Sequence, residues 1–384
     1  METVELLEIV GRGEDTRHQF KADATNAVSL ASEMVAFANS GGGMLFVGVR
    51  DDGTIQALNG ADVHRMNQLI GNAASTQIRP AINPITENVP VETGVVVVVT
   101  IPDGIAKPYM DNSGAIWVKS GSDKRRVTAR EEMQRMFQAA QLVHADEVPV
   151  PGSSIADIDL DYFRRFYSTR YDQELDQQEL SLGQVLGNMR LVSSDVLTVT
   201  GILLFAREPQ NFLPVFQIKA VCYPGNDIHA TTYLDSVDIL GKLQTQFDDA
   251  LGFIARNLRR DQGSQGVNTT GELEIPRIVL EELLANALIH RDYFVSAPIR
   301  VFVFDDRVEI ISPGHLPNNL TVTNIRTGNS NIRNPILTSF ATKLIPYRGL
   351  GTGILRALRE YPAIEFVDDR EGNLFRAIIR RHPR

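Results

Sequence analysis

One cysteine, Cys222, stands among 384 residues, so neither an internal disulfide nor a cysteine-rich zinc site can form. That scarcity fits a reducing compartment. No apolar run approaches the ~18 residues that a membrane span requires. Val95 to Val99, the purest such run, reads as a buried strand. The opening residues, METVELLEIVGRGEDTR, are acidic and lack the apolar core of a secretion signal. Basic residues are outnumbered 38 to 47, for a net charge of −9. A global basic footprint for nucleic acid is therefore absent, and any such contact must come from a local patch. Together these absences predict a cytoplasmic protein with no membrane partner.

What is present suggests a chain of two or three domains with sizeable cores, since 43% of residues are hydrophobic. Up to about residue 145, strand and helix signals alternate. AVSLASEMVAFANS has apolar residues at helical spacing and stops at Gly41 to Gly43. MLFVGV, VVVVVTIP and AIWVKSG read as strands. TAREEMQRMFQAAQLV reads as a closing helix capped by Thr128, with Glu131 as its capping-box partner. DEVPVPGSS then reads as a linker. Further on, LDYFRRFYSTRY reads as helix, and LTVTGILLFA and PVFQIKAVCY as strands. VDILGKLQTQFDDALGFIARNL, starting near residue 236, reads as helix, followed by the loop RRDQGSQGVNTTGELE. The expected division is 1–146 as one domain, 147–235 as linker and connecting region, and 236–384 as a second domain.

The most informative stretch is EELLANALIHRD, residues 281–292. Glu282, Asn286 and His290 recur every four residues, about one helical turn, so they share one stripe of an otherwise apolar helix. Asn is a poor helix-interior residue, because its side chain competes for backbone hydrogen bonds. Downstream, DRVEIISPGHLP ends a strand in a Pro-Gly turn. RGLGTGI places Gly349, Gly351 and Gly353 just before a helix, where backbone N–H groups can approach an anion. The combination resembles the GHKL nucleotide-binding fold of gyrase B, heat-shock chaperones, histidine kinases and MutL-type repair proteins. The string LEELLANALIHRDY…IRVFVFDDRVEIISPGHLP…PYRGLGTGI resembles the divergent branch (HATPase_c_4) found in bacterial transcriptional regulators and RecG-related proteins. The resemblance implies that Asn286 binds Mg²⁺, that Glu282 orients or deprotonates water, and that Gly349, Gly351 and Gly353 sit at the phosphates. Gly314 would lie beneath the base, and His290 could contact phosphate. Ser312 stands where relatives place an adenine-reading aspartate. The implied ligand is ATP or another nucleotide.

GEDTRHQFKADA…MVAFANSGGGMLFVGVRDDGTIQAL resembles the AlbA_2-type domain of the Schlafen family. In Schlafen nucleases, two glutamates and an aspartate hold a divalent metal. By position these fall on Glu14, Gln19 and Asp51 or Asp52. The neutral amide of Gln19 argues against the nuclease and for binding without cutting. WVKSGSDKRRVTAR gathers Lys119, Lys124, Arg125, Arg126 and Arg130 beside Trp117, cations for phosphate and an aromatic for a base. The fold class implied is α/β (α+β), a Schlafen-like domain followed by a GHKL-like α/β sandwich. The expected function is a nucleic-acid-binding regulator, on DNA or RNA, whose state is set by a nucleotide effector. A homo-oligomer is expected. A Schlafen-type ribonuclease and a weak ATPase stand as the alternatives.

Overall fold

The computed structural model describes residues 1–140, 142–262, 271–317 and 320–381. Two units, Met1–Val143 and His144–Arg384, separate along the chain.

The first unit runs α1 (Thr3–Arg12), β1 (His18–Lys21), α2 (Ala27–Asn39), β2 (Gly43–Val47), α3 (Gly60–Thr76), β3 (Ile78–Arg79), β4 (Ile85–Val91), β5 (Gly94–Ile101), β6 (Met110–Asp111), β7 (Trp117–Ser120), β8 (Asp123–Arg126) and α4 (Arg130–Ala139). The four-stranded sheet has the order β1-β2-β5-β4, with β1 and β2 parallel and the other pairs antiparallel. The valine run forms β5, as its sequence predicts. Val97 and Val99 pack with α2 and α3, while Val96 and Val98 pack with Leu6 and Val10 of α1. A strand buried on both faces needs no polar alternation. Asn26 caps α2 by accepting from Val28 N, and Gly41 and Gly42, at φ 95° and 77°, turn the chain into β2. α4 departs from expectation: Ala129 is its N-cap and no side chain bonds there, so Thr128 caps nothing.

The second unit runs α5 (Leu160–Tyr171), α6 (Leu182–Asn188), β9 (Val192–Ser193), β10 (Val196–Leu197), α7 (Val199–Phe205), β11 (Ile218–Cys222), β12 (Asp235–Ile239) and α8 (Leu243–Asn257). It continues with β13 (Arg260–Asp261), β14 (Glu272–Leu273), α9 (Arg277–His290), β15 (Ile299–Val303), β16 (Arg307–Pro313), α10 (Val322–Arg326), α11 (Pro335–Leu344), α12 (Gly353–Glu360), β17 (Ile364–Asp369) and β18 (Leu374–Arg380). Its six-stranded sheet has the order β12-β11-β15-β16-β18-β17 and is antiparallel except between β11 and β15. α8 and α9 share one core with the sheet residues Val301, Val303, Ile310, Ala377 and Ile379.

Three expectations are corrected here. LTVTGILLFA is not a strand: Thr198 caps α7 by accepting from Gly201 N, and every residue from Val199 to Phe205 is buried. A helix buried all round shows no amphipathic period, so an apolar run of this length is ambiguous from sequence. The helix expected from residue 236 begins only at Leu243, because residues 235–239 form β12, the edge of the sheet. Residues 147–235 are more than a connector. Phe163, Phe166 and Leu203 lie in the same core as α9, and β11 sits between β12 and β15. Of the expected loop RRDQGSQGVNTTGELE, residues 263–270 lie outside the described residues.

Asp146 ties the start of this unit to its interior. Its fully buried carboxylate accepts the backbone N–H groups of Ile336 (2.8 Å) and Leu337 (2.9 Å) at the N-terminus of α11. Burial raises its pKa to about 6, against the opposing pull of those two bonds.

Candidate functional site: a cleft between helix α9 and a glycine loop

α9 is built from strong helix formers and buries Val279, Leu280, Leu283, Leu284 and Ile289. Its remaining stripe, Glu282, Asn286 and His290, lines a cleft enclosing about 1000 Å³, mouth included. Gly349, Leu350, Gly351 and Gly353 also line it, with Ser312, Gly314, Phe366 and Phe375. Residues some seventy positions apart in sequence thus line one space.

Each polar member has a definite partner. Asn286 Nδ2 donates to Glu282 O at 2.7 Å, one turn back, which turns its amide oxygen away from that bond. His290 Nε2 meets the Tyr347 hydroxyl at 3.1 Å. Burial holds its pKa down at about 4, and the charge of Arg333 adds to the effect, so the ring is neutral at pH 7. Ser312 Oγ donates to Ala287 O at 3.0 Å, which leaves its lone pairs for a donor. Gly314 has φ 96°, and a Cβ there would fall 2.5 Å from Arg333 Nη1. Arg333 fills that space and donates to His315 O at 2.7 Å. Arg291, next to the stripe, is structural: it is buried, stacks on Phe216 and Tyr293, and donates to Ala297 O at 2.6 Å.

Two cationic residues of this cleft escape the sequence reading. Arg348 and Arg356 both line it, opposite the single carboxylate of Glu282 among the described lining residues. Arg356 Nη2 lies 2.5 Å from Glu282 Oε1. Burial raises the Glu282 pKa, and the guanidinium of Arg356 opposes that shift. The available signal was Arg356 three residues after Gly353, on the same face of α12.

The amide oxygen of Asn286 is a hard donor of the kind Mg²⁺ takes alongside water and phosphate, and Glu282 could join it only once released from Arg356.

The first unit's polar residues are arranged otherwise. Glu14 Oε1 accepts from Phe20 N (2.7 Å) and Gln19 Nε2 (3.3 Å). Gln19 Oε1 in turn accepts from Lys119 Nζ at 2.6 Å, and Lys119 also donates to Ser122 O. Asp51 and Asp52 are exposed, and Asp52 caps its own turn by accepting from Thr54 N at 2.8 Å. Among the described residues, no three histidine, cysteine, aspartate or glutamate side chains gather as metal ligands. An ammonium on Gln19 does not fit a divalent ion beside it.

The basic hairpin β7–β8 is divided by its pairing. Trp117, Lys119, Lys124 and Arg126 point to one face, and Arg125, opposite Val118, to the other. Lys124 is bound to Glu33 at 2.9 Å, and Trp117 donates to Asp111 at 2.7 Å. Arg125 pairs with Glu132 at 2.6 Å. Arg126 and Arg130 are exposed, with no ion pair among the described residues.

Residues 14–128 match the family model Schlafen, AlbA_2. Residues 296–376 match the model described as Putative ATP-dependent DNA helicase recG C-terminal. Part of the first unit is thus similar to a Schlafen AlbA_2 domain, and part of the second to a RecG-type C-terminal region. Among solved structures, a Corynebacterium diphtheriae protein is similar at 22% identity and TM-score 0.48, covering 99% of this chain and 80% of its own. The N-terminal domain of a RecG-related protein from Nitrosomonas europaea is similar at 20% identity and TM-score 0.23, covering 34% of this chain and 96% of its own. No curated protein matches. Glu14 and the whole basic hairpin lie inside the Schlafen AlbA_2 match. In the second unit the match begins after α9, so it takes in Ser312, Gly314 and the glycine loop but not Glu282 or Asn286. No helix among the described residues is long and apolar enough to cross a membrane.

Proposed function

We propose that this chain is a nucleic-acid-binding regulator controlled by a nucleotide, ATP with Mg²⁺, in the cleft of its second unit. The observation that carries the reading is the convergence of Glu282, Asn286 and the 349–353 loop on one cleft with a positive excess in an acidic protein. A polyanion is the ligand such a lining favours. The family descriptions, one of an ATP-dependent DNA helicase region and one of a Schlafen domain, support an ATP-linked role on nucleic acid. Asn286 holds the ion through its amide oxygen, and Mg²⁺ supplies charge neutralisation for the phosphates. Ser312 Oγ, already donating to Ala287 O, can accept from the exocyclic amine that adenine, guanine and cytosine each carry, so it selects for an amine and not for adenine alone. In the first unit, Arg126 and Arg130 are the exposed cations for nucleic-acid phosphates.

The test is ligand-dependent stability. A ligand that binds only the folded state raises the melting temperature. Mg²⁺–ATP should do so for the wild type and not for Asn286→Ala. No shift of the wild type at millimolar ATP, GTP or their diphosphates would sink the reading.

A further inference from the structure

One contact in the cleft is left without a role by that reading. Glu282 is only 4% exposed, yet its Oε2 has no hydrogen-bond partner, and neither does Arg356 Nε across from it. The carboxylate lies against the first residue of α12: a Cβ on Gly353 would fall 2.2 Å from Glu282 Oε2. Thr352, the N-cap of α12, contributes no side-chain bond to the free amides there. A helix N-terminus and a guanidinium together form the environment that phosphate oxygens occupy. Here that environment already holds an anion, and the anion is the protein's own carboxylate.

We infer that Arg356 receives the terminal phosphate of the bound nucleotide, and that Glu282 keeps that place until the phosphate displaces it. The inference rests on the nucleotide reading above. One guanidinium cannot give the same N–H groups to two anions, so binding of the triphosphate separates Glu282 from Arg356. The carboxylate is then free in the cleft, beside Asn286. A diphosphate, one phosphate shorter, leaves the pair closed. Arg356 is therefore the residue that distinguishes triphosphate from diphosphate, and Glu282 is its internal competitor.

The experiment is calorimetric titration of the full chain with Mg²⁺ and either a non-hydrolysable ATP analogue or ADP. Wild type should prefer the triphosphate. Arg356→Gln should weaken the triphosphate by about tenfold or more, the size of one charge-assisted hydrogen bond, and leave ADP nearly unchanged. Glu282→Gln, which removes the competitor but keeps its shape, should bind the triphosphate more tightly than wild type. If Arg356→Gln fails to fold because Glu282 is left buried and unpaired, the double variant Glu282→Gln, Arg356→Gln carries the same comparison. Equal weakening of both nucleotides, or a Glu282→Gln variant that binds the triphosphate no more tightly than wild type, overturns the assignment while the nucleotide site stands. A wild type that binds neither nucleotide removes the site as well.

Discussion

The two polar clusters of this chain look alike in sequence and differ in their surroundings. In the first unit, Glu14, Gln19, Lys119 and Ser122 form a continuous hydrogen-bonded chain, and Lys124 pairs with Glu33 Oε1, which leaves Glu33 Oε2 buried without a partner. In the second unit, Glu282 Oε2 and Arg356 Nε are buried without partners at the edge of an open cleft. Buried polar groups in native proteins are almost always satisfied. Both clusters keep one unpartnered carboxylate oxygen, so pairing alone does not separate them; what marks Glu282 and Arg356 is that they line a cleft where a ligand can complete them.

The sharpest way to break the comparison is at Gly353. Gly353→Ala places a methyl group against Glu282 and the phosphate path. Overpacking of that kind costs stability about 1–3 kcal/mol, so the fold should survive. The melting shift given by Mg²⁺–ATP should vanish. A variant that keeps the full shift would show that nothing passes this point of the cleft.

Lys119→Ala tests the cluster of the first unit. It removes a buried donor from Gln19 and Ser122, and urea unfolding should reveal a loss of about 1–3 kcal/mol. Unchanged stability would mean that the network is not structural.

A smaller effect is expected from Arg126→Ala with Arg130→Ala. Both side chains are exposed, so stability should stay within about 0.5 kcal/mol. Nucleic-acid binding should weaken across sequences, with the salt slope flattening by roughly one unit for each arginine–phosphate pair removed. Arg125→Ala should do less, since Glu132 already neutralises it. The reverse order would place the binding face on the other side of the hairpin.

The smallest net effect is on pH dependence, because two groups oppose each other. His290 has a folded pKa of about 4, below its ordinary 6.5, so its contribution is present above pH 6.5 and is lost as pH falls through 4. Asp146 has a folded pKa of about 6, above its ordinary 3.8, so its contribution is present below pH 3.8 and is lost as pH rises through 6. Between pH 4 and 6 the two offset each other. Relative to wild type, His290→Gln should gain stability on acidification across that window, and Asp146→Asn should lose it. Denaturant midpoints at several pH values measure both, and parallel curves for all three proteins would refute the assignment.

Much of this protein is legible in the local physics of single segments. Val95 to Val99 could only be a strand buried on both faces, and the i, i+4 spacing of Glu282, Asn286 and His290 fixed one helical edge. Gly349, Gly351 and Gly353 before ILRALRE gave the loop and the helix it opens. Segments whose signal was not periodic were misread. α7 is apolar on every side, and β12 is a short edge strand whose VDI merges into the helix behind it. Charge pairing was out of reach as well. Lys119 reaches Gln19 across 100 positions of sequence, and Arg356 reaches Glu282 across 74, as the residue numbers give. Sequence alone determined which groups carry charge and which backbone segments can form a helix, a strand or a tight turn, because those depend on neighbours within a turn or two. Only the tertiary structure decided which charges neutralise each other and which face an open cleft, because a Coulomb partner is chosen by distance in space and by exclusion of water.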